Sequence, residues 1–401
     1  MLTSLAFIFL AGLLMAAVCK RLKLPGIIGM LITGIVLGPY VLDLLDPSIL
    51  SVSSDLRHMA LIIILLKAGL SLDLSDLKKV GRPAIMMSCV PASCEILAFF
   101  LLAPSLLGVT RIEAAVMGAV LAAVSPAVVV SRMVRFMDEK YGTKKSIPQL
   151  ILAGASCDDI FVIVLFSTFS GMAQGGHANV MGFVNIPVSI VLGIALGAAA
   201  GFVLSVFFET SYAHRHCVRN SVKVIIVLGV SFLLMAVETW LKGIVSVSGL
   251  LAVVSMACVI RIRCVPQVTA RLSEKFGKLW LAAEVILFVL VGAAVDIRYT
   301  LEAGIAAVAM IFAALIFRGI GVSLCLVKTS LSFKERLFCI IAYLPKATVQ
   351  AAIGSVPLAM GLPCGKIVLS VAVLAILITA PLGAIGIDSA YKKLLTHDEN
   401  G

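Results

Sequence analysis

The 401-residue sequence predicts an all-α polytopic membrane protein of about 13 transmembrane helices, built as an inverted-topology repeat with two broken helices. Three observations carry this prediction. Hydrophobic residues make up 61% of the chain and charged residues only 13%, too little polar surface to cover a soluble domain of this size. Apolar runs of spanning length, roughly 20 residues, recur from Leu2 to Ile387 with short polar joints between them. The chain also resembles itself across its two halves.

Read in order, the spans cover 2–19, 25–42, 58–72, 84–108, 114–131, 148–172, 186–208, 223–241, 245–260, 279–295, 304–327, 337–360 and 366–387. The first run has no Lys or Arg before it and is followed by Lys20, Arg21 and Lys23, the reverse of a signal peptide's charge order, so it reads as a retained helix. Joints after odd-numbered spans hold about 23 Lys and Arg, and those after even-numbered spans about 4. The positive-inside rule then puts the N-terminus outside and the C-terminus in the cytoplasm. The strongest basic loops are Arg132 to Lys145 and Arg261 to Lys278.

The net charge of +11 is spread among these joints rather than gathered in one patch, so orientation explains it and no nucleic-acid partner is expected. The ten cysteines are scattered, mostly inside apolar runs, with no disulfide framework and no paired metal spacing. The five histidines, His58, His177, His214, His216 and His397, fall at span ends, in loops or in the tail. No cofactor is expected.

The repeat shows in Gly69-Leu70-Ser71-Leu72-Asp73-Leu74, which resembles Gly292-Ala293-Ala294-Val295-Asp296-Ile297 at an offset of 223 residues. The same offset carries Glu95 onto Arg318. An odd number of spans separates the copies, so they run in opposite directions: repeat one covers about 1–172, a linker helix 186–208, and repeat two about 223–387. Span 5 contains Pro126, after Ser125, and span 12 contains Pro345, before Lys346. A mid-helix proline removes a backbone hydrogen bond and crowds the preceding turn. Paired breaks at matching positions of two repeats are a pointer to a transporter's binding site.

Span 6 carries Asp158 and Asp159 side by side. Each intramembrane carboxylate costs roughly 2.5–3.5 kcal/mol on insertion scales, so an adjacent pair marks a site. Neighbouring residues point about 100° apart on a helix, so one carboxylate can face an aqueous cavity while the other faces a neighbouring helix. Protons and a small hard cation can compete for such oxygens; Ser125, Ser156 and carbonyls freed near Pro126 are candidates to complete the shell. Lys346 is placed to neutralise the negative end of a half-helix. Arg318 cannot face lipid cheaply and is expected to pair with Glu95. Lys67 lies near a span end, where snorkelling suits it, while Glu238 and Glu284 lie in or near spans without an assigned role.

The stretch Gly154-Ala155-Ser156-Cys157-Asp158-Asp159-Ile160-Phe161 resembles the ion-binding helix of the monovalent cation/proton antiporter superfamily. Val124-Ser125-Pro126-Ala127 and Tyr343-Leu344-Pro345-Lys346-Ala347-Thr348-Val349-Gln350 are closest to the subfamily B sodium/hydrogen exchangers and their bacterial relatives. The resemblance covers essentially the whole chain. It implies the sodium/proton antiporter fold with spans 5 and 12 crossing at their breaks, and exchange of sodium or lithium for protons. It also implies a homodimer, with spans 1–3 and 8–10 forming a dimerisation part. A core of spans 4–6 and 11–13 would move as an elevator. Asp159 would be the main ion-binding carboxylate, Asp158 its companion, and Arg318 would pair with Glu95. A bacterial inner membrane is the expected location. A potassium/proton antiporter or channel-like efflux protein is the alternative within the class. An intramembrane aspartyl protease is remote, because proteolysis needs two carboxylates sharing a water from different helices.

Overall fold

Proline and capping chemistry set most of the helix starts. The structure, a computed structural model, describes every residue except 23, 72–80, 175–179, 214–218, 242–246, 297–303 and 398–401. Asp73, Leu74 and Ile297 of the repeated motif, with His177, His214 and His216, therefore lie outside the described residues, as do the side chains of Pro126 and Ser156.

The helices are α1 (Leu2–Arg21), α2 (Gly26–Leu37), α3 (Pro47–Ser51), α4 (Ser53–Ser71), α5 (Arg82–Met87) and α6 (Val90–Leu107). They continue with α7 (Arg111–Leu121), α8 (Pro126–Asp138), α9 (Ile147–Gln174), α10 (Val180–Ala213), α11 (Asn220–Leu241) and α12 (Gly249–Arg263). The last are α13 (Pro266–Ala293), α14 (Gly304–Cys325), α15 (Phe333–Ala342), α16 (Thr348–Gly354), α17 (Val356–Ala359) and α18 (Gly365–Leu394). Among the described residues, eight stretches of helix are long and apolar enough to cross a membrane. Apolar side chains such as Leu10, Ile225 and Ile316 are more than 60% exposed, as lipid-facing residues are in a bilayer.

Several boundaries differ from the sequence expectation, each for a local reason. Span 84–108 is two helices, because Pro91 opens α6 and the chain turns at Ser88 and Cys89 before it. Span 25–42 stops at Leu37, where Gly38 is extended. The basic stretches are largely helical rather than loops: α8 runs on to Asp138, α12 reaches Arg263, and Pro266 restarts the helix at its first position. Hydropathy marks only the apolar middle of a helix, whereas the backbone ladder continues into polar surroundings.

The chain divides into two compact units, one of Met1–Arg57, Asp73–Val162 and Val285–Gly401, the other of His58–Leu72 and Ile163–Glu284. Within the first, α6 packs along α14 and α7, and α18 lies against α8, α15, α16 and α17. Within the second, α10 packs along α12.

Both broken helices belong to the first unit. Residues 122–125 separate α7 from α8, and residues 343–347 separate α15 from α16. The Ser125 N–H donates to the Pro345 carbonyl at 2.8 Å, so the two unwound segments meet directly. Each broken helix also begins with a capping box, Thr110 with Glu113 for α7 and Ser332 with Glu335 for α15, 222 residues apart by numbering.

Candidate functional site

Around the two breaks the first unit buries five charged side chains that the sequence singled out: Glu95 on α6, Asp158 and Asp159 on α9, Arg318 on α14, and Lys346 in the second break. Glu95 and Arg318 are fully buried, and their ion pair closes at 2.9 Å between Oε2 and Nη1. Lys346 Nζ approaches the same carboxylate at 2.7 Å, so Glu95 is shared by two cations. Arg318 Nη2 reaches Asp158 Oδ2 at 3.1 Å, and that oxygen also accepts the Val124 N–H at 2.8 Å.

The same cations satisfy the carbonyls that unwinding exposes. Arg318 donates to Ala122 O in the first break and to Tyr343 O in the second. Lys346 donates to Leu121 O, the last carbonyl of α7, where the helix dipole is negative. Backbone groups freed within a membrane must find internal partners. These two side chains supply part of that demand while balancing the acids.

Gln350 supplies more of it. Its Oε1 accepts the Ala347 N–H at 2.8 Å, and its Nε2 donates to Ala123 O at 2.7 Å and Leu121 O at 3.3 Å. The Lys346 N–H donates to Thr379 Oγ1 at 3.0 Å. Charge was the search criterion in the sequence, so these uncharged partners escaped it. Gln350 nevertheless stands in the quoted motif, and an amide within a span was a readable signal.

Asp159 is the exception. It is buried to 6% exposure, and among the described residues its Oδ1 has no partner. Asp158 Oδ1, Ser125 Oγ and Thr348 Oγ1 are also buried without a partner. Ser125 holds the N-cap position of α8 yet its hydroxyl does not cap the helix. Buried polar atoms are nearly always paired, so carboxylate and hydroxyl oxygens left spare together mark a place for a ligand. They suit a hard monovalent cation; among the described residues no cluster of three His, Cys, Asp or Glu could hold a metal ion.

Two glycines make room for the breaks. A Cβ at Gly383 would stand 2.3 Å from the Pro345 ring, and one at Gly154, a turn before Asp158, would stand 2.0 Å from Tyr343 Oη. In the second unit, Lys67 lies over the Trp280 ring at 5.9 Å with Glu284 acting on its charge, and Glu238 accepts the Gly249 N–H at 3.0 Å.

Interrupted helices joined at their breaks and lined by buried acids and bases define a membrane ion carrier in form. The comparisons agree. The family described as "Sodium/hydrogen exchanger, transmembrane" matches residues 5–392, and the chain belongs to that family. It is 34% identical over 390 residues to the sodium/hydrogen exchanger 9B2 of Homo sapiens, covering 94% of this chain and 71% of that one. It is 32% identical over 394 residues to exchanger 9B1 of Homo sapiens, covering 93% and 73%. The solved structure of the sodium proton antiporter MjNhaP1 from Methanocaldococcus jannaschii superposes with a TM-score of 0.81 at 22% identity, covering 98% of this chain and 99% of that one. The protein is therefore an integral membrane protein of antiporter fold, in a family of transporters rather than enzymes.

Proposed function

We propose that the chain exchanges sodium or lithium for protons, with Asp159 as the carboxylate that binds cation and proton in turn. The observation that carries this reading is the contrast between neighbours: Asp158 is held by Arg318 and the Val124 N–H, whereas the buried Asp159 has an Oδ1 with no partner among the described residues. Asp158 Oδ1, Ser125 and Ser156 are the further ligands, and Glu95, Arg318, Lys346, Pro126 and Pro345 shape the site around them.

Charge counting supports one proton per cation. Glu95 and Asp158 are balanced by Arg318 and Lys346, a neutral quartet. Arginine keeps its charge at any working pH. Asp159 is then the one carboxylate left over, and a single monovalent cation or a single proton neutralises it. Exchange of one for the other moves no net charge.

The 13-span count, the inverted repeat and a homodimer whose core of spans 4–6 and 11–13 moves as an elevator against spans 1–3 and 8–10 belong to the same proposal. The joint between the breaks favours their moving as one body. The charge asymmetry of the joints favours a cytoplasmic C-terminus. The expected bacterial inner membrane gains no support from the curated relatives, which are animal proteins.

Ion flux in proteoliposomes tests the reading. Asp159→Asn abolishes sodium/proton exchange while inserting and folding normally, and Asp158→Asn impairs it less completely. Wild-type apparent sodium affinity weakens as pH falls, by up to about tenfold per pH unit for each proton displaced. Normal exchange by Asp159→Asn would remove the site; a steady voltage-driven current would remove the one-for-one stoichiometry.

A further inference from the structure

We propose that Gln350 is a positioning residue for the ion site, acting on Asp158 through the single peptide unit between Ala123 and Val124. The inference rests on the site reading above and adds a residue to it.

That peptide unit is held at both ends. Its carbonyl, Ala123 O, accepts Gln350 Nε2 at 2.7 Å, and its N–H, on Val124, donates to Asp158 Oδ2 at 2.8 Å. An amide is one conjugated plane, so holding its oxygen fixes the direction of its N–H. Donation to the oxygen also polarises the N–H toward its own acceptor, as hydrogen bonds in a chain do. The chain begins one step earlier, because Gln350 Oε1 accepts the Ala347 N–H in the second break. A single line of hydrogen bonds thus runs from the second break, through Gln350 and the first break, to the carboxylate beside Asp159.

Among the described residues no other side chain does this. Arg318 and Lys346 also bond the first break, but at Ala122 O and Leu121 O, carbonyls whose own peptide N–H groups do not meet Asp158 in the structure. Gln350 is fully buried and neutral, so it orients the peptide without altering the charge balance of the quartet. Removing its donor leaves Ala123 O unpaired and the peptide plane free to turn, which draws the Val124 N–H from Asp158 and leaves that carboxylate to Arg318.

A merely structural clamp and a positioning residue differ in what they change. Gln350→Met and the milder Gln350→Asn, assayed in proteoliposomes, raise the apparent KM for sodium by about threefold to tenfold, the worth of one hydrogen bond. Turnover at saturating sodium, per folded transporter, stays unchanged. The sodium concentration giving half-maximal thermal stabilisation of the detergent-purified protein moves by the same factor, which provides the readout for any variant that reconstitutes poorly. Both variants melting earlier while keeping the wild-type KM and half-maximal concentration would overturn the inference and leave a clamp. Asp159→Asn is run beside them: exchange surviving there overturns the ion site and this inference together, whereas its loss alongside an unmoved KM in the Gln350 variants overturns this inference alone.

Discussion

The two breaks look alike in sequence, a proline within an apolar helix in each half, yet they contribute different things. The first, residues 122–125, offers backbone: Ala122 O, Ala123 O and the Val124 N–H, together with Leu121 O just before them, are all taken by side chains from elsewhere. The second, residues 343–347, offers Tyr343 O to Arg318 and Pro345 O to the Ser125 N–H, and adds a side chain, Lys346, while Gln350 follows in the first turn after it. The two breaks therefore meet unequally: the first receives side chains at its backbone groups, while the second, besides its own carbonyls, sends Lys346 to that backbone, with Gln350 from the turn after it.

Several substitutions break or sharpen this contrast. The largest effect falls on the residue serving both breaks. Arg318→Met removes a donor to each and leaves Glu95 and Asp158 short of a cation, which costs about 3–5 kcal/mol in a thermal or denaturant melt in detergent. The swap of Glu95→Arg with Arg318→Glu recovers little, because a carboxylate at 318 faces Asp158 and two carbonyls; full recovery would show that the pair acts alone. Lys346→Met is milder, about 2–3 kcal/mol, since Glu95 keeps Arg318 and Leu121 O keeps Gln350. A loss as large as that of Arg318→Met would equalise the two cations.

Smaller effects lie further out. Gly383→Ala presses a methyl into the Pro345 ring and costs about 1–2 kcal/mol, measured as an earlier melt. An unchanged melting temperature would show that the second break yields to its neighbour. The smallest concerns Lys145 and Glu335, which tie the loop after the first broken helix to the opening turn of the second at 2.8 Å. Glu335 stands just before the expected span 337–360. Burial opposes its ionisation, but hydrogen bonds from Lys145 and Ser332 outweigh this and hold its carboxyl below the ordinary glutamate range. With the folded value depressed, its contribution is present above about pH 4.3 and fades as pH falls through the folded value. Lys145 is partly exposed, so Lys145→Met costs under about 1 kcal/mol at neutral pH, and the difference from wild type vanishes in acid. A difference that grew as pH fell would reverse the assignment.

Much of this was legible in sequence because membrane helices announce themselves by hydropathy and intramembrane charges by their cost. Asp158, Asp159, Glu95, Arg318 and Lys346 were each found as a charge where none should be. What stayed hidden was neutral or backbone. Nothing in the letters Ala122 and Ala123 says that their carbonyls are acceptors, and Gln350, a buried amide among apolar residues, carries no charge to flag it. The helix extensions past Ser131 and before Leu279 were lost because hydropathy reports solvent rather than hydrogen bonding. The capping boxes at Thr110 and Ser332 could have been read directly, since Ser or Thr followed three residues later by Glu is a start signal.

The close fit of Gly154 against the Tyr343 hydroxyl has an evolutionary consequence. Gly154 lies on α9 and Tyr343 in the second break, 189 residues apart by numbering, yet the first cannot change before the second. A side chain can enter at 154 only in a lineage that has already given up the phenol oxygen at 343. Among sequences of this lineage the pair should therefore change together, glycine with tyrosine or alanine with phenylalanine, and the intermediate with both alanine and tyrosine should be the missing step.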